Sequence, residues 1–230
     1  MVKIGIVLRY SNIEKGRDIL YLGENLRRTV QKAGGFVVPI VQVQDVNYYS
    51  THYVDFKELS ELEKNMIDEY LDIVDGVIFP GGKKITPFDK YVLNRCVELD
   101  KKVLGICLGM QLISSYNSNF ITYENTSNII HNLGDNDNVL VHEVKITKGT
   151  KLYEIIGSEK ILVNSFHNRH VTELDNSLVI SAVSDDGYIE GVELKNKTFI
   201  VGVQWHPEIS YDFDDNSKKI IDKFINMCKE

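Results

Sequence analysis

The residue best equipped for chemistry in this sequence is a cysteine held between two glycines. Val103-Leu104-Gly105-Ile106 is a short apolar run of the buried-strand type, Cys107 follows it, and Leu108-Gly109-Met110-Gln111 opens a helix-forming stretch. This G-x-C-x-G spacing is the nucleophile-elbow pattern with a thiol in place of a hydroxyl. A nucleophile on a sharp strand-to-helix turn has strained backbone angles, so its neighbours at minus two and plus two must be small. The turn would set the sulfur at a helix N-terminus, where the dipole favours thiolate over thiol. It would also aim the Leu108 N–H at the place where an oxyanion forms. Cys96 and Cys228 lie inside helical patterns without such a frame and read as small buried apolar residues.

A nucleophilic thiol needs a base. Of the six histidines (His52, His131, His142, His167, His170 and His206), His206 is the best placed, in Val203-Gln204-Trp205-His206-Pro207-Glu208 just past an apolar strand. A carboxylate two residues on can take one imidazole nitrogen and leave the other for the thiol. Pro207 fixes the backbone between them. Spacing alone does not make a triad, because Cys107 and His206 are far apart in the chain and only the fold can join them. Phe79-Pro80-Gly81-Gly82 could bring a second oxyanion donor, although Pro-Gly-Gly equally makes a plain strand-ending turn. A zinc site from His167, His170 and His206 is a rival reading. His167-x-x-His170 would suit a helix, but it lies between strand-like runs, and a loop with hydrogen-bonding side chains is the simpler account.

The 230 residues, 43% hydrophobic and 26% charged, describe an ordinary globular protein able to bury a core without disulfides or metals. No Pro- or Gly-rich break divides them, so one domain over residues 1–230 is expected. Net charge is −7 and no basic stripe is present, which argues against a nucleic-acid partner. Three widely spaced cysteines suggest neither a disulfide framework nor a C-x-x-C zinc pair. No signal peptide or long apolar span is evident. A cytoplasmic protein with no membrane contact is therefore expected, in a compartment where thiols stay reduced.

Positioning these groups falls to an alternation of strands and helices. Val2 to Leu8 reads as a strand, and a helical stripe of Leu22, Leu26, Val30 and Ala33 ends at Gly34-Gly35. Phe36 to Val43 is a second strand, followed by a Tyr-rich loop and a charged helix from about Ser60 to Ile73. Gly76 to Phe79 is a third strand, and a helix of about Asp89 to Leu99 leads to Val103–Ile106. This order predicts a mostly parallel sheet with helices on both faces. Val139–Ile146, Ile161–Val163, Leu178–Val183, Tyr188–Leu194 and Phe199–Val203 are closely spaced, the last two joined by the hairpin-like Lys195-Asn196-Lys197. They predict an antiparallel set added in the C-terminal half, before a final helix of about Asn216 to Cys228.

Gly105 to Gln111 together with Gln204 to Glu208 resembles the class I glutamine amidotransferases, and Pro80-Gly81-Gly82 falls where that superfamily has its oxyanion loop. Within it the chain is most similar to the γ-glutamyl-γ-aminobutyrate hydrolase group, peptidase C26. Three features carry this: Ile4-Gly5-Ile6 with a helix ending Ala33-Gly34-Gly35, the block Val163-Asn164-Ser165-Phe166-His167, and Asp186-Gly187-Tyr188-Ile189-Glu190. The resemblance implies a flavodoxin-like fold and a triad of Cys107, His206 and Glu208, with oxyanion N–H groups from Gly82 and Leu108. It implies that Gln111 and the segment Ser165, Phe166 and His167 hold the glutamyl part of a small γ-glutamyl substrate. The implied activity is hydrolysis of a γ-glutamyl amide through a thioester, with no metal or cofactor. A glutaminase subunit serving a separate synthase is the alternative, and a binding module without turnover is a third reading on the same fold. Association with copies of itself is left open.

Two departures bear on the amine side. Asn168 and Arg169 stand where the group commonly has a second His and a Gln, and Tyr116-Asn117-Ser118-Asn119 replaces a glycine-rich stretch. The aromatic loop Tyr48 to Tyr53 could shape a leaving-group pocket or be ordinary surface.

Overall fold

The computed structural model describes residues 1–13, 17–45, 57–118, 122–134, 136 and 139–230. The chain begins with β1 (Val2–Val7), a hairpin of β2 (Arg9–Ile13) and β3 (Arg17–Tyr21), α1 (Glu24–Lys32) and β4 (Gly35–Ile40). Next come α2 (Glu61–Ile73), β5 (Gly76–Phe79), α3 (Pro87–Glu98), β6 (Lys102–Ile106) and α4 (Leu108–Ser114). The second half holds β7 (Tyr123–Glu124), β8 (His142–Ile146), α5 (Lys151–Ile156), β9 (Lys160–Val163), β10 (Arg169–His170), β11 (Leu178–Ser184), β12 (Ile189–Leu194), β13 (Ile200–Val203), α6 (Pro207–Ser210) and α7 (Asp215–Met227).

Nine of these strands form one sheet in the order β4-β1-β5-β6-β13-β12-β11-β8-β9. The first five run parallel, and from β12 onward each pairing is antiparallel. The sheet is therefore the mixed one expected, a parallel set of five strands with an antiparallel set added in the C-terminal half, with one change of membership. Phe199–Val203, grouped by spacing with the antiparallel strands, is in fact the fifth parallel strand. It returns from β12 through a tight turn with Asn196 at φ 57° and pairs with β6 on its other side. A hairpin partner is legible locally. A second partner from an earlier part of the chain is not.

Alternation explains the two cores. Leu104 and Ile106 of β6 and Ile78 of β5 face one layer, with Leu26 and Val30 of α1 and Ile220, Ile221 and Phe224 of α7. Val103, Val77 and Phe79 face the other, with Ile67 and Leu71 of α2 and Phe88 and Val92 of α3. A parallel strand covered on both faces must be apolar at successive positions, so these strands read as continuous hydrophobic runs.

Helix starts are set by side chains. Ser60 and Glu63 make a reciprocal capping box at α2. Thr86 and Asp89 make another at α3, with Pro87 in the first turn, so α3 begins two residues before the apolar pattern suggested. The β2–β3 hairpin and α5 were not expected from the sequence. Both are short, and Arg9–Tyr21 lacks the apolar alternation of a core strand.

Candidate active site

Cys107 and His206 come together because β6 and β13 are neighbours. Ile106 is in register with Val203, and the Cys107 N–H donates to the Val203 carbonyl at 2.9 Å. Each residue thus lies just beyond the carboxyl end of an adjacent parallel strand, with the Pro80–Gly82 loop beyond β5 next in line. Clefts at the carboxyl ends of parallel strands are where open α/β sheets place ligands.

The turn at Cys107 is strained, with φ 53° and ψ −104°. Such a conformation in a non-glycine residue costs about 1–3 kcal/mol and persists only where the surroundings enforce it. They do. A Cβ on Gly105 would meet the Gly109 backbone at 2.6 Å, and one on Gly109 would lie 2.0 Å from the Phe79 carbonyl oxygen. Both flanking glycines are therefore required by backbone passing backbone. Cys107 is 8% exposed, on the rim between core and solvent. By contrast, burial pushes the thiols of Cys96 and Cys228 up to about 12, against the pull of nearby lysines, which leaves them protonated and inert.

His206 Nδ1 is 2.7 Å from Glu208 Oε1. Burial alone would lower the imidazole pKa, but the Glu208 carboxylate and the Cys107 sulfur outweigh it and hold the ring well above the usual histidine value. A Cβ on Gly81 would sit 2.8 Å from His206 Cε1 and 3.6 Å from Cys107 Cβ, so ring and thiol share one glycine wall. Phe166 packs edge-on to the His206 ring, with centroids 5.5 Å apart. The backbone around the ring is clamped: Asn164 accepts from the His206 N–H and donates to the His206 carbonyl, both at 2.8 Å. Thr29 of α1 donates to the Glu208 carbonyl at 3.1 Å.

The glycine loop is held by Arg9, which is buried beyond β1. Its Nε and one terminal nitrogen donate to the Pro80 carbonyl at 3.1 and 3.0 Å, while the other pairs with Asp89 Oδ1 at 2.5 Å. Gly82 in turn leaves its side-chain space to Arg9 and to Leu108, whose Cδ2 would be 3.1 Å from a Cβ there. Gln111 Nε2 donates to Gln204 Oε1 at 3.0 Å and to the Arg169 carbonyl at 3.2 Å, a bond from α4 to the strand end that carries His206.

The other expected residues are distributed differently. Ser165 is fully buried and donates to the His131 carbonyl, and the His167 ring lies beside His131 and Glu190. His170 stacks on Tyr188 with centroids 3.5 Å apart. The trio His167, His170 and His206 thus divides among three settings, and the one group with metal-ligand proximity among the described residues is His131, His167 and Glu190. Asn168 accepts from Asn132, and Arg169 donates to Thr122. Tyr48–Tyr53, His52 among them, and Asn119 lie outside the described residues. Sequence reading missed Arg9 as a brace and Asn164 as a clamp. The available signals were a charge ending the apolar run of β1 and a polar pair directly after the apolar β9.

A model of the peptidase C26 family matches residues 88–208, more than half of the chain and the stretch that carries Cys107, Asn164, His206 and Glu208. The chain belongs to the peptidase C26 family. A Schizosaccharomyces pombe protein with a glutamine amidotransferase name is 35% identical over 68% of this C26 chain and 70% of its own length. Protein NtpR of Enterococcus hirae is 26% identical over 95% and 94%, and a CTP synthase of Thermosipho africanus is 27% identical over 90% of this chain and 42% of its own. Among solved structures, the glutaminase domain of Trypanosoma brucei CTPS with bound acivicin superposes with a TM-score of 0.64 over 99% of this chain and 92% of that one, at 16% identity. At that identity the likeness establishes a shared fold, the one found in glutamine amidotransferase domains.

Proposed function

We propose that this C26 protein is a cysteine hydrolase that cleaves a γ-glutamyl amide bond, acting as one domain over residues 1–230. The observation that carries the reading is the meeting, at adjacent strand ends, of a strained Cys107 with a His206 whose far nitrogen is bonded to Glu208. In this scheme the Cys107 thiolate attacks the γ-carbonyl, and the N–H groups of Gly82 and Leu108 stabilise the oxyanion. The His206 imidazolium gives its proton to the leaving amine as a γ-glutamyl thioester forms. Water deprotonated by His206 then attacks the thioester, releasing glutamate and restoring the thiol. Glu208 holds the ring tautomer and favours its charged form. Gln111 and the backbone of the segment Ser165 to His167 hold the glutamyl moiety beside Phe166. A cytoplasmic setting suits a reduced thiol, and among the described residues no helix is long and apolar enough to cross a membrane.

The test is glutamate release by the purified protein from a panel of γ-glutamyl amines and from glutamine. Turnover by the protein alone, lost in Cys107→Ala, is expected. Unchanged turnover in Cys107→Ala would remove the assignment. A second reading, a glutaminase that passes ammonia to a separate synthase, draws on the CTP synthase relatives. It predicts near-idle behaviour on glutamine until a synthase partner is added.

A further inference from the structure

Three histidines surround one buried carboxylate on the antiparallel side of the sheet. His131 Nδ1 and His167 Nε2 each lie 3.4 Å from Glu190 Oε1, and His142 Nε2 lies 3.7 Å from it. None of these contacts is a hydrogen bond. All three ring nitrogens and both Glu190 oxygens are buried without a hydrogen-bond partner among the described residues. Glu190 itself is 0% exposed. Orphaned polar atoms at this depth cost about 1–3 kcal/mol each, and five of them in one place call for a common partner.

The outer nitrogens identify that partner. His142 Nδ1 is 3.0 Å from the Ile130 carbonyl and His167 Nδ1 is 2.9 Å from the Arg169 carbonyl. A carbonyl only accepts, so both Nδ1 atoms carry protons, and in the neutral rings each Nε2 turns a lone pair toward Glu190. His131 Nε2 is held likewise by Asp186 Oδ2 at 2.8 Å. Lone pairs converging on a carboxylate repel unless a cation lies among them. A single imidazolium at His131, between Asp186 and Glu190, would leave the lone pairs of His142 and His167 facing the carboxylate, and three imidazolium rings would crowd one another, with centroids 4.5 and 4.8 Å from His131. A single divalent ion answers the lone pairs of His131 and His167 and the Glu190 carboxylate at once. Around zinc, with bonds of about 2.0–2.1 Å, tetrahedral ligand atoms stand about 3.3–3.4 Å apart, close to the 3.4 Å that separates the His131 and His167 nitrogens from Glu190 Oε1, and the donor atoms of these three residues all lie within 4.8 Å of one another. Outer bonds from ligating histidines to a carbonyl and a carboxylate are the usual second layer of such sites. Glu190 and Asp186 together balance the double positive charge.

We propose that His131, His167 and Glu190 form a buried structural site for a zinc-class divalent transition ion, separate from Cys107, with the His142 ring packed against it. All three ligands are buried and the His142 ring packs against them, so the centre would be structural rather than catalytic. The ion would tie β12 to the loops before β8 and after β9. His131 accepts from the His167 N–H and the Ser165 hydroxyl, both at 2.8 Å, and next to Ser165 is Asn164, the clamp on His206. The site would thus stiffen the support of the base.

The experiment is zinc loading of the EDTA-treated protein, read by elemental analysis and thermal unfolding. One zinc per chain and a higher Tm are expected. Cys107→Ala should bind equally well, whereas Glu190→Gln should weaken binding by more than about 100-fold. Failure of the metal-free protein to bind zinc, or loss of binding in Cys107→Ala with retention in Glu190→Gln, overturns the proposal. Should Glu190→Gln not fold, anomalous scattering from zinc-loaded Cys107→Ala crystals places the ion directly. An ion among His131, His167 and Glu190 supports the site, and an ion elsewhere overturns it.

Discussion

His206 carries most of the local electrostatics. Its charged form is favoured in the folded protein, because Glu208 and Cys107 outweigh the cost of burial. A raised folded-state pKa contributes stability that is fully present below the ordinary value of 6.5 and is lost as pH rises through the raised one. Replacing Glu208 with Gln removes the largest single raising influence, its carboxylate charge. Glu208→Gln should therefore lower kcat by on the order of 10²- to 10⁴-fold. It should also flatten the fall in unfolding midpoint between neutral and alkaline pH. Steady-state rates and thermal melts across pH check both, and an unaltered kcat would show that the carboxylate neither orients nor charges the ring.

Among the elements, the strand-turn-helix of β6 and α4 is the least forgiving. A side chain on Gly109 would sit 2.0 Å from the Phe79 carbonyl oxygen, which belongs to the central sheet and cannot yield. Gly109→Ala should cost about 3 kcal/mol or more, or prevent folding. Gly81 is different. A Cβ there meets the His206 ring, which can swing aside, so Gly81→Ala should fold nearly as well but lose activity. Denaturant unfolding set beside glutamate release separates the two cases, and equal effects on stability would refute this account of the two glycines. The glycine frame was readable in the sequence because it is local. The Arg9 brace was not, since Pro80 and Asp89 reach Arg9 only when β1 and β5 pair.

In the molecule as a whole, the antiparallel strands do more than extend the sheet. β9 is the strand farthest from β4, yet the loop after it returns Asn164 to the backbone of His206 beyond β13. The C-terminal half thus acts as a scaffold for one histidine. Asn164→Ala would leave a buried N–H and C=O unpaired and let the ring drift. An error of about 1 Å in such a group costs up to about 100-fold in rate. The expected signature is a large fall in kcat with little change in KM, and a change confined to KM would place Asn164 in substrate binding instead.

Sequence alone determined what depends on short-range chemistry. The apolar runs marked the strands, the two glycines around Cys107 marked a strained turn, and His206-Pro207-Glu208 marked a ring with a carboxylate in reach. Each is set by residues within a few positions of one another. Tertiary structure decided what depends on distant pairing. It made β13 a parallel neighbour of β6, which brings His206 to Cys107, and it brought Arg9 to the glycine loop and Asn164 to the histidine. It also gathered His131, His142 and His167 around Glu190, residues from two strands and two loops that nothing in their spacing connects. Hydrogen-bond and register constraints act through space, so a linear pattern can supply the parts without showing which of them meet.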